Sequence, residues 1–256
     1  MTFPQPSGEF EWTQESWGAA VRCRPLGAVA RHCFSTRDLA LEGVLAAPAP
    51  AWAALARAFD VAPDSLVRMH QVHCADVFEA DNANRGSWPE ADIAVTNDSS
   101  IAVSVRTADC VPILLADRRG GAVAAIHAGW KGTAAGAAIV AVESLTSRYG
   151  TKPRDVIAAV GPSIGPCCYE VGSDLAVHFS AHPEARTWFS ADEKPRLDLW
   201  RATHDQLARA GVPDSEIHVC ALCTFDHPAL FHSYRRDGKT AGRLVAAIKS
   251  GTGRTL

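Results

Sequence analysis

The segment AVAAIHAGWKGTAAG holds the densest group of residue types that can do chemistry. An apolar run ends in His127, and Gly129, Gly132 and Gly136 follow with Lys131 among them. Glycines let a backbone turn tightly and approach a ligand. Free N–H groups at a helix start, with a lysine beside them, can cradle an anion. The GxxxxGK[ST] spacing of a Walker A loop is missing, however, and a tight strand-to-helix connection with a solvated lysine reads the same residues equally well. In RTADCVPILLAD, Cys110 follows Asp109 and precedes Pro112. Cys110 is open to two readings: a small buried hydrophobe, or a thiolate acting as metal ligand or nucleophile. In MHQVH, His70 and His73 stand three apart. In a strand that spacing sends them to opposite faces, so at most one points into a given site.

The remaining cysteines carry less. Cys220 and Cys223 have CxxC spacing but no second pair, which does not support a zinc ribbon. The adjacent Cys167 and Cys168 sit in a Gly/Pro loop, where close backbone packing is preferred to a redox role. The HxE plus PCxxC pattern of zinc deaminases, HExxH and a GxGxxG opening a helix are all absent.

These residues need a frame. IAVSVRT, VPILLAD, GAVAAIHA and VIAAV are short apolar runs rich in Val and Ile, which predicts buried strands. LVRMHQVH and ADVFEA predict two more, with His73 near their junction and a polar loop from Asp81 to Glu90 after them. AWAALARAFDV, after the Ala/Pro-rich Ala46–Ala53, has the spacing of a short amphipathic helix. GTAAGAAIVAVESLTSRYG predicts a helix closed by Gly150, and LDLWRATHDQLARAG one ending at Gly211. A short helix is expected near the C-terminus, after FHSYRRDGKTAGR. Strands and helices interleave without regular alternation, so the expected class is α/β (α+β), a mixed layered fold rather than a barrel or a doubly wound sheet.

The chain has 256 residues, 47% of them hydrophobic, with 25 basic and 28 acidic side chains. That composition is globular and fits a single domain over residues 1–256. Near-neutral charge and the lack of a basic run argue against nucleic acid or an anionic membrane as partner. MTFPQPSGEFEWTQESW has neither a basic start nor an apolar core, so no secretory signal is read there, and no stretch approaches the ~18 apolar residues of a membrane helix. The expected location is cytoplasmic, with cysteines that are thiols or metal ligands rather than disulfides.

Five segments in order carry a resemblance: QVH at Gln71–His73, TADC at Thr107–Cys110, HAGWKG at His127–Gly132, GPSIGPCCYEVG at Gly161–Gly172 and SYRRDG at Ser233–Gly238. Together they resemble the YfiH-like or laccase-domain family, labelled variously polyphenol oxidase, peptidoglycan editing factor and purine nucleoside phosphorylase. The resemblance spans roughly Val29 to Ile248. It implies a layered sandwich of mixed β-sheets flanked by helices, related to a toxin glutamine deamidase. It also implies a metal site made by His73, Cys110 and His127. Three such ligands leave a fourth position open, as in catalytic zinc, and the expected cofactor is Zn2+, with Cu2+ possible. His70 matches no ligand position.

The activity implied is phosphorolysis of purine nucleosides, with methylthioadenosine phosphorolysis and adenosine deamination beside it, so the expected partners are purine nucleosides and phosphate. On this reading Lys131 in the Gly129–Gly136 turn and a bidentate Arg37 meet phosphate. Asp109 handles a proton or orients water, or else caps a turn. Two departures bear on the substrate. FSTRDLALEGVL keeps Arg37 but lacks the glycines usual after it, with a shortened loop following, and Cys74 stands where Gly or Ser commonly follows QVH.

Three other functions compete. An amidase would use Cys110 as nucleophile and His127 as base. A multicopper phenol oxidase needs many histidines, and this chain has 10 with no His-x-His pair. A structural zinc would need a fourth ligand, for which Cys74 is the candidate, but strand alternation sends it away from His73.

Overall fold

The computed structural model describes residues 3–41 and 49–251. In chain order it runs β1 (Phe10–Glu15), β2 (Gly18–Cys23), α1 (Arg24–Gly27), β3 (Ala30–Ser35), α2 (Ala49–Ala58), β4 (Leu66–Val67) and β5 (Val77–Glu79). Then come β6 (Ile93–Thr96), β7 (Ala102–Thr107), β8 (Val111–Asp117), β9 (Val123–Ala128), α3 (Trp130–Ala134), α4 (Ala137–Tyr149) and β10 (Val156–Val160). The last elements are α5 (Leu199–Arg209), β11 (Ile217–Val219), α6 (Tyr234–Asp237) and β12 (Leu244–Ser250).

The strands form two six-stranded sheets, ordered β1-β2-β3-β12-β7-β4 and β11-β10-β8-β9-β6-β5. Most pairs are antiparallel; β4 with β7, β5 with β6, and β10 with β11 are parallel. One core lies between the sheets, joining Phe34, Val103, Val105 and Ile248 to Leu114, Val123, Ala125 and Ala159. A second joins the outer face of the second sheet to α4 and α5, through residues such as Ile113, Ile126, Val142 and Leu207. A third packs Trp52, Leu55 and Phe59 of α2 and its end onto Cys33, Ala102 and Val245. The layers therefore run helix, sheet, sheet, helices: the layered sandwich of mixed sheets expected from the sequence.

Burial on both faces explains why the strand segments read as unbroken apolar runs. All residues of β6, β8, β9 and β10 are buried. Helix α5 starts where the Asp198 side chain accepts the Arg201 N–H at 2.9 Å, and it buries Leu199, Ala202 and Leu207.

Three expectations are corrected. The C-terminal segment is not a helix but β12, the fourth strand of the first sheet, held between β3 and β7. Its alanines permit a helix, but a buried slot between two strands decides otherwise. LVRMHQVH and ADVFEA contribute only Leu66–Val67 and Val77–Glu79 to ladders. Between them, Gln71 stands in for a strand: its side chain donates to Arg106 O at 2.8 Å and accepts from Arg106 N at 2.9 Å. The long helix after His127 is broken in two at Gly136, whose φ of 75° is left-handed. The reading of a shortened loop after Arg37, and part of the Ala/Pro-rich stretch, fall on residues 42–48, outside the described residues. Among the described residues, no helix is long and apolar enough to cross a membrane.

Candidate metal centre and cavity

His127 is the next-to-last residue of β9. Alternation puts it on the face that carries Val123 and Ala125, toward the first sheet. The ladder pairs Ile93 with Ile126, and the next rung sets Asp92 against His127, whose N–H donates to Asp92 O at 2.8 Å. The side chains meet as well: Nδ1 of His127 lies 2.6 Å from Oδ1 of the fully buried Asp92. With Nδ1–H donated there, Nε2 is left for the site. A carboxylate behind a histidine in this way fixes the ring's tautomer and orientation.

Asp92 also holds the second histidine. Its other oxygen, Oδ2, accepts the N–H groups of Val72 at 3.0 Å and Cys74 at 2.9 Å, and the Cys74 thiol at 3.1 Å. His73, between them, takes φ 64°, a left-handed conformation that this clamp maintains. Its ring meets His127 edge-on, centroids 4.8 Å apart. His70 instead pairs with Glu90 at 3.3 Å, half-exposed and away from the site. Cys74 is spent on Asp92; burial, first, and that carboxylate push its thiol up to about 12.

Cys110 lies where the chain crosses from β7 in one sheet to β8 in the other. The preceding Asp109 makes that turn with φ 87°. Its carboxylate accepts from Thr224 Oγ1 at 2.6 Å, Ser233 Oγ at 3.0 Å and Arg235 N at 2.6 Å, and its carbonyl accepts Ile164 N–H at 2.9 Å. The turn before the cysteine is thus tied to three distant segments. Gly129 leaves room on the other side: a Cβ there would stand 2.8 Å from Cys110 Sγ and 3.3 Å from His73 Cδ2.

The result is a cluster. Donor atoms of His73, Cys110 and His127 all lie within 4.8 Å of one another. Burial pushes the Cys110 thiol up, but His127 and His73 beside it more than reverse this and bring it down to about 6. Burial pushes His127 down, while Cys110 and Asp92 together raise it to about 9. Burial likewise opposes ionisation of Asp92, yet its bonds from His127 and Cys74 hold it well below the usual carboxylate range. Two imidazoles and a thiolate, one imidazole backed by a carboxylate, form a donor set able to hold a transition metal ion.

The cluster lies on the wall of a cavity of about 560 Å³. That is the size of a small-molecule site. Trp130, Tyr169 and Tyr234 give it aromatic faces, and Arg106, Arg235 and Arg243 give it positive charge. Arg235 stacks over Tyr169 at 5.0 Å. Burial, and then the neighbouring Arg243 and Arg68, hold the Arg106 guanidinium below its ordinary range.

Of the residues singled out from sequence, His73, Cys110, His127 and Asp109 all border this cavity, and Arg37 and Lys131 are not among its lining residues. Arg37 is exposed and its guanidinium donates to Pro228 O. Lys131 is exposed, with Nζ 5.7 Å from the Trp130 ring centroid. Asp92 and the three cavity arginines were not singled out. No local motif marks Asp92, which lies 35 residues before His127; Arg106 stands just before TADC, while Arg235 and Arg243 lie eight residues apart in FHSYRRDGKTAGR.

A family model described as multi-copper polyphenol oxidoreductase laccase matches residues 45–250. A curated relative from Deinococcus radiodurans, named purine nucleoside phosphorylase, is 39% identical over 196 residues, 77% of this chain and 74% of that protein. A Bacteroides thetaiotaomicron relative of the same name is 35% identical over 161 residues; the match spans 61% of this chain and only 60% of that protein's length. The crystal structure of YlmD from Geobacillus stearothermophilus superposes with a TM-score of 0.85 at 31% identity, covering 94% of this chain and 99% of that one.

Proposed function

We propose, on the premise that this chain belongs to the family described as multi-copper polyphenol oxidoreductase laccase, the laccase-domain or YfiH-like family, that it is a zinc-dependent purine nucleoside phosphorylase. The observation that carries the proposal is the juxtaposition, in one cavity, of a donor cluster of two imidazoles and one thiolate with an arginine-lined wall. The names of the relatives from Deinococcus and Bacteroides support the substrate class.

His73, Cys110 and His127 would hold the ion, and three protein ligands with an open position are the pattern of catalytic zinc. Zinc bound there supplies Lewis-acid polarisation and lowers the pKa of a water to about 7. The chain's own residues do the rest. Asp92 keeps the His127 ring in one tautomer. Arg106, Arg235 and Arg243 bind phosphate by charge-assisted hydrogen bonds. Trp130, Tyr169 and Tyr234 offer faces to the purine, and Ile164 and Leu199 exclude water. Asp109 is a positioning residue: both its carboxylate oxygens are engaged, and it sets the turn that presents Cys110. Methylthioadenosine phosphorolysis and adenosine deamination extend the same reading.

A specific observation favours a second reading. The Cys110–His127–Asp92 series, with the thiol brought down to about 6, is also the arrangement of a cysteine hydrolase acting on an amide. Multicopper oxidation has less support. Among the described residues only one of the two clusters able to hold a metal contains histidine, and a single copper does not supply the four electrons that reduce O2 to water.

The test is metal analysis of the purified protein with chromatography of adenosine and inosine, each with and without phosphate. Free base released only when phosphate is present, by protein carrying stoichiometric zinc, is the expected result. Amide cleavage abolished by alkylation of Cys110, with no nucleoside turned over, overturns it in favour of the second reading.

A further inference from the structure

A second group of soft ligands lies outside the His–Cys–His centre. Cys167 and Cys168 come from the loop after β10, Cys223 and Asp226 from the loop after β11, and their ligand atoms all lie within 4.8 Å of one another. Cys167 Sγ is 3.2 Å from Asp226 Oδ2, and Cys168 Sγ is 3.1 Å from Oδ1. The buried Cys223 Sγ accepts the Gly165 N–H at 3.3 Å. A backbone N–H aimed at a ligand sulfur is the kind of outer support that metal thiolates have.

We infer that Cys167, Cys168, Cys223 and Asp226 form a second metal site, a closed zinc site that fastens two loops together. Zn–S bonds of about 2.3 Å put the sulfurs of a tetrahedral site about 3.8 Å apart, so the four groups need to close by about 1 Å or less. Three sulfurs and one carboxylate fill all four positions. This distinguishes the site from the His73–Cys110–His127 centre, which keeps one open, and marks it as structural. On binding, the three S–H protons pass to solvent as three Zn–S bonds form; no oxidation is involved.

The two loops it joins also hold the cavity. Ser163 and Thr224, in those loops, bond to each other through Thr224 N–H and Ser163 O at 3.0 Å. Ile164 N–H and Thr224 Oγ1 both donate to Asp109, the residue before Cys110. An ion at the second site therefore stiffens the frame that presents Cys110. The inference stands independently of the nucleoside activity.

Cobalt substitution tests it. Cys110→Ser removes the only cysteine of the first centre, so any thiolate-to-cobalt charge-transfer absorption in that protein belongs to the second. Titration of Cys110→Ser with Co2+ alone is expected to give intense charge-transfer bands with tetrahedral d–d absorption, saturating at one such ion per chain and bleached by Zn2+. Adding Cys223→Ser abolishes the bands. Adding Asp226→Asn, an exposed change that preserves the fold should the cysteine variant not, weakens cobalt binding about tenfold or more. Cobalt bound to Cys110→Ser without thiolate bands, bands that persist after Cys223→Ser, or a disulfide between Cys167 and Cys168 in protein purified with reductant, overturns the inference.

Discussion

Asp92, just before β6, and His127 of β9 face each other, joined twice: backbone to backbone at 2.8 Å and carboxylate to imidazole at 2.6 Å. The other oxygen of the same carboxylate clamps the loop that carries His73. One buried residue thereby orients two of the three side chains proposed to hold a metal, without itself needing to touch the ion.

Asp92→Asn is expected to weaken metal binding by about 10- to 100-fold. The amide can still accept from Val72 and Cys74, but its NH2 cannot receive the His127 Nδ1 proton, so the ring loses its tautomer. Zinc affinity by chelator competition, set against the thermal midpoint of the stripped protein, separates this from unfolding. Unchanged affinity would contradict the role given to Asp92.

Gly129→Ala places a methyl group 2.8 Å from Cys110 Sγ and 3.3 Å from His73 Cδ2. Overpacking of this kind costs about 1–3 kcal/mol. The strain falls on two of the side chains proposed as ligands, so metal content is expected to drop while the circular dichroism spectrum stays native. Full zinc occupancy in the variant would show that the centre can move aside.

The cavity arginines and the two cations singled out from sequence make opposite predictions for phosphate. Arg243→Gln should raise the phosphate KM about tenfold or more with a much smaller change in kcat, the loss of one charge-assisted contact. Arg37→Ala and Lys131→Ala, at residues outside the cavity lining, should leave it within about twofold. A phosphate KM that follows Arg37 or Lys131 instead would put the anion at the glycine turn.

His32 ties stability to pH. It is 1% exposed, its Nε2 accepts Cys23 N–H at 2.9 Å, and burial pushes its pKa from 6.5 down to about 4. The unfolded chain therefore binds a proton that the folded one refuses between those values. This contribution is fully present above pH 6.5 and is lost as pH falls toward 4, a span worth about 3 kcal/mol. Urea unfolding at pH 7.5 and 4.5 should show that loss in the parent protein and a shallower one in His32→Gln. Equal slopes would refute it.

What was legible in the sequence was local. The apolar runs of β7 to β10 announced strands because their residues are buried on both faces. Gly150 and Gly211 marked helix ends that the structure has: Gly150 closes α4, and Gly211 follows the last turn of α5. The C-terminal segment misled because its alanines suit a helix in isolation, whereas β3 and β7 leave a strand-shaped gap. Residues 68–76 misled because Gln71 does with a side chain what a strand does with its backbone.

By itself, the sequence determined which side chains can act as ligands and the five ordered motifs that carry the family resemblance, because residue identity and short spacing belong to the linear chain. Only the tertiary structure decided that Asp92 stands behind His127, that Asp109 is saturated by Thr224, Ser233 and Arg235, and that three scattered arginines share a cavity with the cluster. Those relationships depend on strand register and on loops meeting at one end of a two-sheet sandwich, and register is settled by which faces can be buried together, not by any neighbour along the chain.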